Sequence, residues 1–285
     1  MTATAQLGPH EVHRVGFGAM QLPGRGVYGP PRDRDEALAV LRSAREGGVD
    51  HIDTASYYGP DVANELIREA LHPYSDDLRI VSKVGARRDA SKAWHPALAP
   101  EDIRAQVEAD LRVLGAERLT LVHLRVMDEN LGDSAFEAGL VTLGELREEG
   151  KLELIGLSNA SLGQLERGLE IAELASVQNQ YGLLDRGGED VLRACLEHDL
   201  AFIPFFPLGS AFGAAPRPTK DPTVQEIAAR LGHTSAQVAL AWLLHHAENI
   251  LLIPGTSSLA HLKENLGAGA VTLGEDDLRA LDALA

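Results

Sequence analysis

Residues 119–159 read LTLVHLRVMDENLGDSAFEAGLVTLGELREEGKLELIGLSN, and their pattern decides the fold. Two short apolar runs, Leu119–Leu124 and Leu152–Leu157, flank an amphipathic stretch, Ser134–Glu149. Both runs are apolar almost without interruption, as in a parallel strand covered on both faces; a strand with one wet face would alternate. Strand, helix and strand make one βαβ unit. Each run also ends on polar side chains, His123 in the first and Ser158 with Asn159 after the second.

The unit repeats outward in both directions. Further strands are expected near Val15–Met20, Val49–Asp53, Arg79–Lys83, Ser176–Gln178, Phe202–Pro204 and Ile250–Ile253. Helical patterns cover Arg34–Gly47, Val62–Leu71, Pro100–Leu114, Ser161–Glu173, Glu189–His198, Ser235–His246, Leu259–Leu266 and Gly274–Leu284. Pro100 with Glu101 and Asp102 suits a first helical turn, and Gly115, Gly150 and Gly267 stand where helices end. Eight units in 285 residues average about 36 each, which suits an α/β (β/α)₈ TIM barrel forming a single domain over residues 1–285. An open doubly wound sheet is the alternative. Ala86–Pro100 and Gly209–Pro222 read as loops, and no Pro-, Gly- or Ser-rich linker divides the chain.

Composition narrows the function. Hydrophobic residues are 45% and charged residues 24%, values of a folded globular chain. With 26 basic against 42 acidic residues the net charge is −16, which argues against nucleic-acid and membrane-surface binding. A lone cysteine, Cys195, and a start without a basic-then-apolar signal point to a cytoplasmic protein. The longest apolar stretch, residues 236–246 (AQVALAWLLHH), is too short to span a bilayer. Gly24-Arg25-Gly26-Val27-Tyr28-Gly29 matches a dinucleotide fingerprint in letters only, since Pro30-Pro31 follows where a helix should open. The eleven histidines show no metal-ligand spacing, so no metal is expected.

In a parallel barrel the functional groups stand at the C-terminal ends of the strands. Those ends here carry Asp53, Lys83, His123, Ser158 with Asn159, and Gln178 with Tyr181. Singly, each is an ordinary cap, surface lysine or core histidine. Together, five successive strands offer polar groups to one mouth.

The segments HIDTASYYG, IVSKVG, LTLVHLR, IGLSN, VQNQYGLLDR, PFFPLG and IPGTSSLAHLKENL, in this order, resemble the aldo-keto reductase superfamily from Arg14 to the last helix. The resemblance implies a catalytic tetrad of Asp53, Tyr58, Lys83 and His123; Tyr57 has the wrong spacing. Carbonyl reduction needs an acid for the developing alkoxide, and a free phenol, with a pKa of about 10, is weak. Lys83 beside Tyr58 is expected to lower that pKa, with Asp53 holding Lys83 and His123 donating to the substrate oxygen.

The same resemblance implies NADPH as cofactor. Ser158, Asn159 and Gln178 match the residues that hold its carboxamide. Phe205 stands where the family usually stacks a Tyr, and Leu208 and Gly209 begin the pyrophosphate loop. Gly255, Thr256, Ser257 and His261 would meet the 2′-phosphate, Gly255 by letting backbone approach closely, with Glu264 and Asn265 toward the adenine. Gly255 and His261 replace the usual basic residues. A pocket walled by Trp94 and Met127 would take a small-molecule carbonyl substrate. HLRVMD, PFFPLG and PGTSS resemble a bacterial subgroup that includes pyridoxal reductases, which puts aromatic aldehydes among the candidates. A nucleotide-sensing subunit, of the potassium-channel β type, and a barrel lyase or isomerase are the alternatives.

Overall fold

The computed structural model describes residues 3–127, 133–209 and 217–285; part of the expected Gly209–Pro222 loop, residues 210–216, lies outside them. Seven parallel strands run in the order in which they occur along the chain: β3 (Phe17–Gly18), β4 (His51–Asp53), β5 (Arg79–Arg88), β7 (Leu119–Arg125), β8 (Leu152–Ser158), β9 (Leu174–Gln178) and β10 (Ala201–Phe202). The circle closes through the eighth expected strand. Ile250 pairs with Phe202 on one side, and Leu252 pairs with Val15 on the other. The sheet is therefore a closed barrel, and the doubly wound alternative falls.

Local chemistry explains the helices between the strands. Asp33 accepts the Glu36 N–H and starts α1 (Arg34–Glu46). After α2 (Val62–Leu71), Pro100 opens α3 (Pro100–Leu114), which ends on Gly115 in the left-handed conformation. Beyond α4 (Asp133–Glu148), reciprocal capping boxes start α5 (Leu162–Ile171) at Ser161 and Gln164 and, after α6 (Glu189–Glu197), α8 (Ser235–His246) at Thr234 and Gln237. Then follow α9 (Leu259–Leu266) and α10 (Glu275–Asp282). Gly267 takes ordinary right-handed angles, so its expected glycine-specific end does not form there.

Three expectations are corrected. A helix, α7 (Pro222–Leu231), follows the 209–222 loop, capped by Asp221 with Pro222 in its first turn. The stretch 86–100 is not a loop, because β5 continues to Arg88 and turns back as β6 (Trp94–Ala97) in antiparallel pairing. An unexpected hairpin, β1 (Thr4–Leu7) with β2 (His10–His13), opens the fold. Its Leu7 and Val12 pack against Val81, Leu121, Ile203 and Leu251, and so close the N-terminal end of the barrel. Each such fully buried side chain contributes about 1.5–3 kcal/mol.

Candidate active site

Alternation along each strand carries the barrel interior from apolar to polar. Val81 and Leu121 lie in the floor; two residues on, Lys83 and His123 face the same interior. Register arranges these groups in rows. Lys83 lies opposite His123, His123 opposite Gly156, and Gly156 opposite Ser176. One step higher, Arg125 lies opposite Ser158, and Ser158 opposite Gln178.

Asp53 ends β4 and is 3% exposed, while Lys83 is 2% exposed. Lys83 Nζ donates to Asp53 Oδ1 at 2.5 Å and to the Thr54 carbonyl at 3.0 Å, and Gln178 Nε2 donates to Asp53 Oδ2 at 2.8 Å. Both buried charges are thus neutralised and hydrogen-bonded, as burial requires. Tyr58 lies in the turn after β4, with Lys83 Nζ 4.9 Å from its ring centroid. Burial and the Asp53 carboxylate push the Tyr58 phenol well above its usual range, against the pull of Arg125. The net direction is thus opposite to the lowering expected from Lys83. The ammonium is spent on Asp53 and Thr54 and meets the ring, and among the described residues it makes no hydrogen bond to the Tyr58 hydroxyl.

His123 is wholly buried, and burial together with the Lys83 charge drives its pKa well below 6.5. Its Nε2 is 2.9 Å from Ser176 Oγ, while Nδ1 makes no well-formed hydrogen bond among the described residues. Tyr57 packs edge-on between Tyr58 and Trp94, at 5.3 and 5.4 Å between centroids, and its buried hydroxyl is unpartnered.

A cavity of about 380 Å³ opens over this floor. Asp53, Tyr58 and Gln178 line it from the barrel mouth, and Phe205, Leu208 and Gly209 from the segment after β10. Gly255, Thr256, His261, Glu264 and Asn265 line it from the last turn and α9. Lys83 and His123 stand behind this lining, and Ser158, Asn159, Ser257, Trp94 and Met127 are outside it. Ser158 Oγ accepts from Arg125 Nη1 at 3.1 Å, and Asn159, at φ 58°, donates to the Val126 carbonyl at 2.9 Å. Trp94 belongs to the Tyr57 ring cluster, and Met127, half-buried, follows β7. The close approach expected at Gly255 is to the chain itself, since a Cβ there would strike the Gly18 carbonyl oxygen. Ser258 precedes α9 without capping it by its side chain; its N–H donates to Thr256 Oγ1 at 3.1 Å.

The structure corrects one strand-end residue and adds others. Tyr181 is turned away from the mouth, packed on Phe202 and Trp242 with its hydroxyl on Glu189 and His246. Arg217 joins His261 in the cavity wall. Arg125 could have been found by counting two residues on from His123. Ser176 needed the register, and Arg217 sits where no periodicity points.

Comparison with known proteins agrees with this geometry. The model of the aldo/keto reductase family matches residues 14–285. Pyridoxine 4-dehydrogenase of Escherichia coli (strain K12) is 47% identical over 284 residues, 99% of this chain and 98% of that protein. An uncharacterized oxidoreductase of Schizosaccharomyces pombe is 34% identical over 281 residues, 98% of this chain and 89% of that one. A thermostable aldo-keto reductase solved with the inhibitor epalrestat superposes with a TM-score of 0.84 at 29% identity, covering 99% of both chains. An aldo/keto reductase from Klebsiella pneumoniae, solved with NADP and acetate, superposes at 0.84 with 26% identity over 100% of this chain and 95% of that one. From its barrel, the polar groups ringed at its mouth and these matches, the chain belongs to the aldo/keto reductase family.

Proposed function

We propose that the protein reduces an aldehyde or ketone to an alcohol at the expense of NADPH, with Tyr58 as the acid. The observation that carries this reading is the buried Asp53–Lys83 pair set beneath a tyrosine that lines the cavity. A phenol held above its usual pKa keeps its proton at neutral pH, which a general acid must do. As Tyr58 gives up that proton, the Lys83 ammonium 4.9 Å from its ring stabilises the phenolate that forms. Asp53 keeps Lys83 in place. His123, held uncharged by burial, offers an N–H rather than a competing cation.

The donor set suits a nicotinamide dinucleotide. Gln178 offers an amide, Phe205 an aromatic face, and Thr256, His261 and Arg217 offer hydroxyl, imidazole and guanidinium groups in the cavity wall. Bound there, NADPH supplies the hydride for the carbonyl carbon. Solved relatives carrying NADP or NADPH support this choice. The likeness to pyridoxine 4-dehydrogenase supports an aromatic aldehyde, with pyridoxal as the first to try. No helix among the described residues is long and apolar enough to cross a membrane.

The test is NADPH oxidation with 4-nitrobenzaldehyde and with pyridoxal, run on the wild type and on Tyr58→Phe. The variant should bind NADPH, seen by its fluorescence, yet turn over about 10²–10⁴-fold more slowly. Near-normal turnover would remove Tyr58 from the acid's role. Tyr57→Phe, which deletes only an unpartnered hydroxyl, should stay within severalfold of wild type.

A further inference from the structure

Arg125 stands at the strand-end mouth, just outside the lining of the cavity. It ends β7, two residues beyond His123, so the two face the same interior about 6.6 Å apart along the strand. Its Nη1 donates to Ser158 Oγ at 3.1 Å, and its guanidinium lies 5.3 Å from the centroid of Phe205, a residue of the cavity wall. Its positive charge reaches both tyrosines, pulling the Tyr57 and Tyr58 phenols downward. Among the described residues no carboxylate pairs with it. Lys83, in contrast, has Asp53. In a chain of net charge −16, a half-buried guanidinium with no acidic partner among the described residues is out of keeping with its surroundings.

A guanidinium carries five N–H donors in a planar fork, and among the described residues one of them, on Nη1, is engaged, by Ser158. The remaining donors match an oxyanion, and their place over Phe205, a residue of the cavity wall, puts that oxyanion on the substrate. We propose that Arg125 sets the substrate preference of this site, selecting carbonyl compounds that carry an anionic oxygen group, such as a carboxylate, over neutral ones of the same shape. The proposal rests on the reductase reading above and adds the substrate class to it. Phe205 backs the guanidinium by its ring face, and Ser158 fixes its orientation.

The test uses 4-formylbenzoate and its methyl ester, which differ in charge at one end and share the aldehyde. Wild type should show the higher kcat/KM on the carboxylate. Arg125→Gln should lower the carboxylate-to-ester ratio about ten- to a hundredfold, mainly through KM. Arg125→Lys, which keeps the charge and loses the fork, should fall between. An equal loss on both substrates, or a wild type indifferent to the charge, would overturn the proposal while leaving the reductase reading standing. A wild type that binds NADPH and reduces neither aldehyde would overturn both.

Discussion

His123 reaches across a neighbouring strand to Ser176, Nε2 to Oγ at 2.9 Å, because the position between them is Gly156. A Cβ on Gly156 would stand 2.6 Å from His123 Cδ2 and 2.8 Å from Ser176 Oγ, closer than carbon atoms pack. The imidazole owes its place to a missing methyl group.

Gly156→Ala should therefore displace the His123 ring. We expect kcat to fall at least about tenfold and the melting temperature to drop, as overpacking in a filled interior costs about 1–3 kcal/mol. Circular dichroism melting and steady-state kinetics check this together. A variant with unchanged kcat would show that the ring does not act from this position.

Behind the ion pair lies a second buried chain of hydrogen bonds. Thr54 Oγ1 donates to Asn64 Oδ1 at 2.7 Å, Asn64 Nδ2 donates to Asp110 Oδ1 at 2.7 Å, and Ser82 Oγ donates to Asp110 Oδ2 at 2.5 Å. It joins the neighbours in sequence of Asp53 and Lys83. Burial pushes the Asp110 carboxyl from 3.8 up to about 7, with Asp61 adding to the push and Lys83 opposing it. The folded protein then holds a proton that the unfolded chain releases, so this group's contribution to stability falls as pH rises from about 4 to 7. Relative to Asp110→Asn, wild type should melt comparatively higher at pH 5 and comparatively lower at pH 8. A difference in melting temperature that stays constant across that range would show that Asp110 does not titrate there.

The cavity wall offers two basic side chains, Arg217 and His261, from separate segments. If they meet the 2′-phosphate, Arg217→Gln should raise the dissociation constant for NADPH about tenfold and leave that for NADH near its wild-type value, with a smaller effect from His261→Gln. Fluorescence titration with each cofactor decides it. Equal weakening toward both cofactors would place Arg217 on a part that the two share.

The barrel and its floor were legible in the sequence because parallel strands write themselves as short apolar runs, and what ends each run faces the mouth. Asp53, Lys83 and His123 were readable in this way, one strand at a time. Ser176, Asn64 and Asp110 were not, since each matters through a partner 46 or more residues away in two of their contacts, His123–Ser176 and Asn64–Asp110. The opening hairpin was missed because Thr4–Leu7 and His10–His13 are four-residue strands with mostly wet faces. Helix α7 was missed because Asp221-Pro222, a cap followed by a first-turn proline, was read as the end of a loop. Tyr181 misled because a strand-end position says nothing about which way the chain then turns.

The closing seam has a consequence for how the molecule is made. Val15 pairs with Leu252, and Gly18 and Gly255 touch backbone to backbone, so the first strand of the barrel has no neighbour on that side until the eighth exists. On a ribosome the growing sheet therefore carries two open parallel edges until residue 253 has been made. Such edges invite pairing with other nascent chains. The contact that closes the barrel, Val15 with Leu252, spans nearly the whole chain and so carries a large loop-closure entropy.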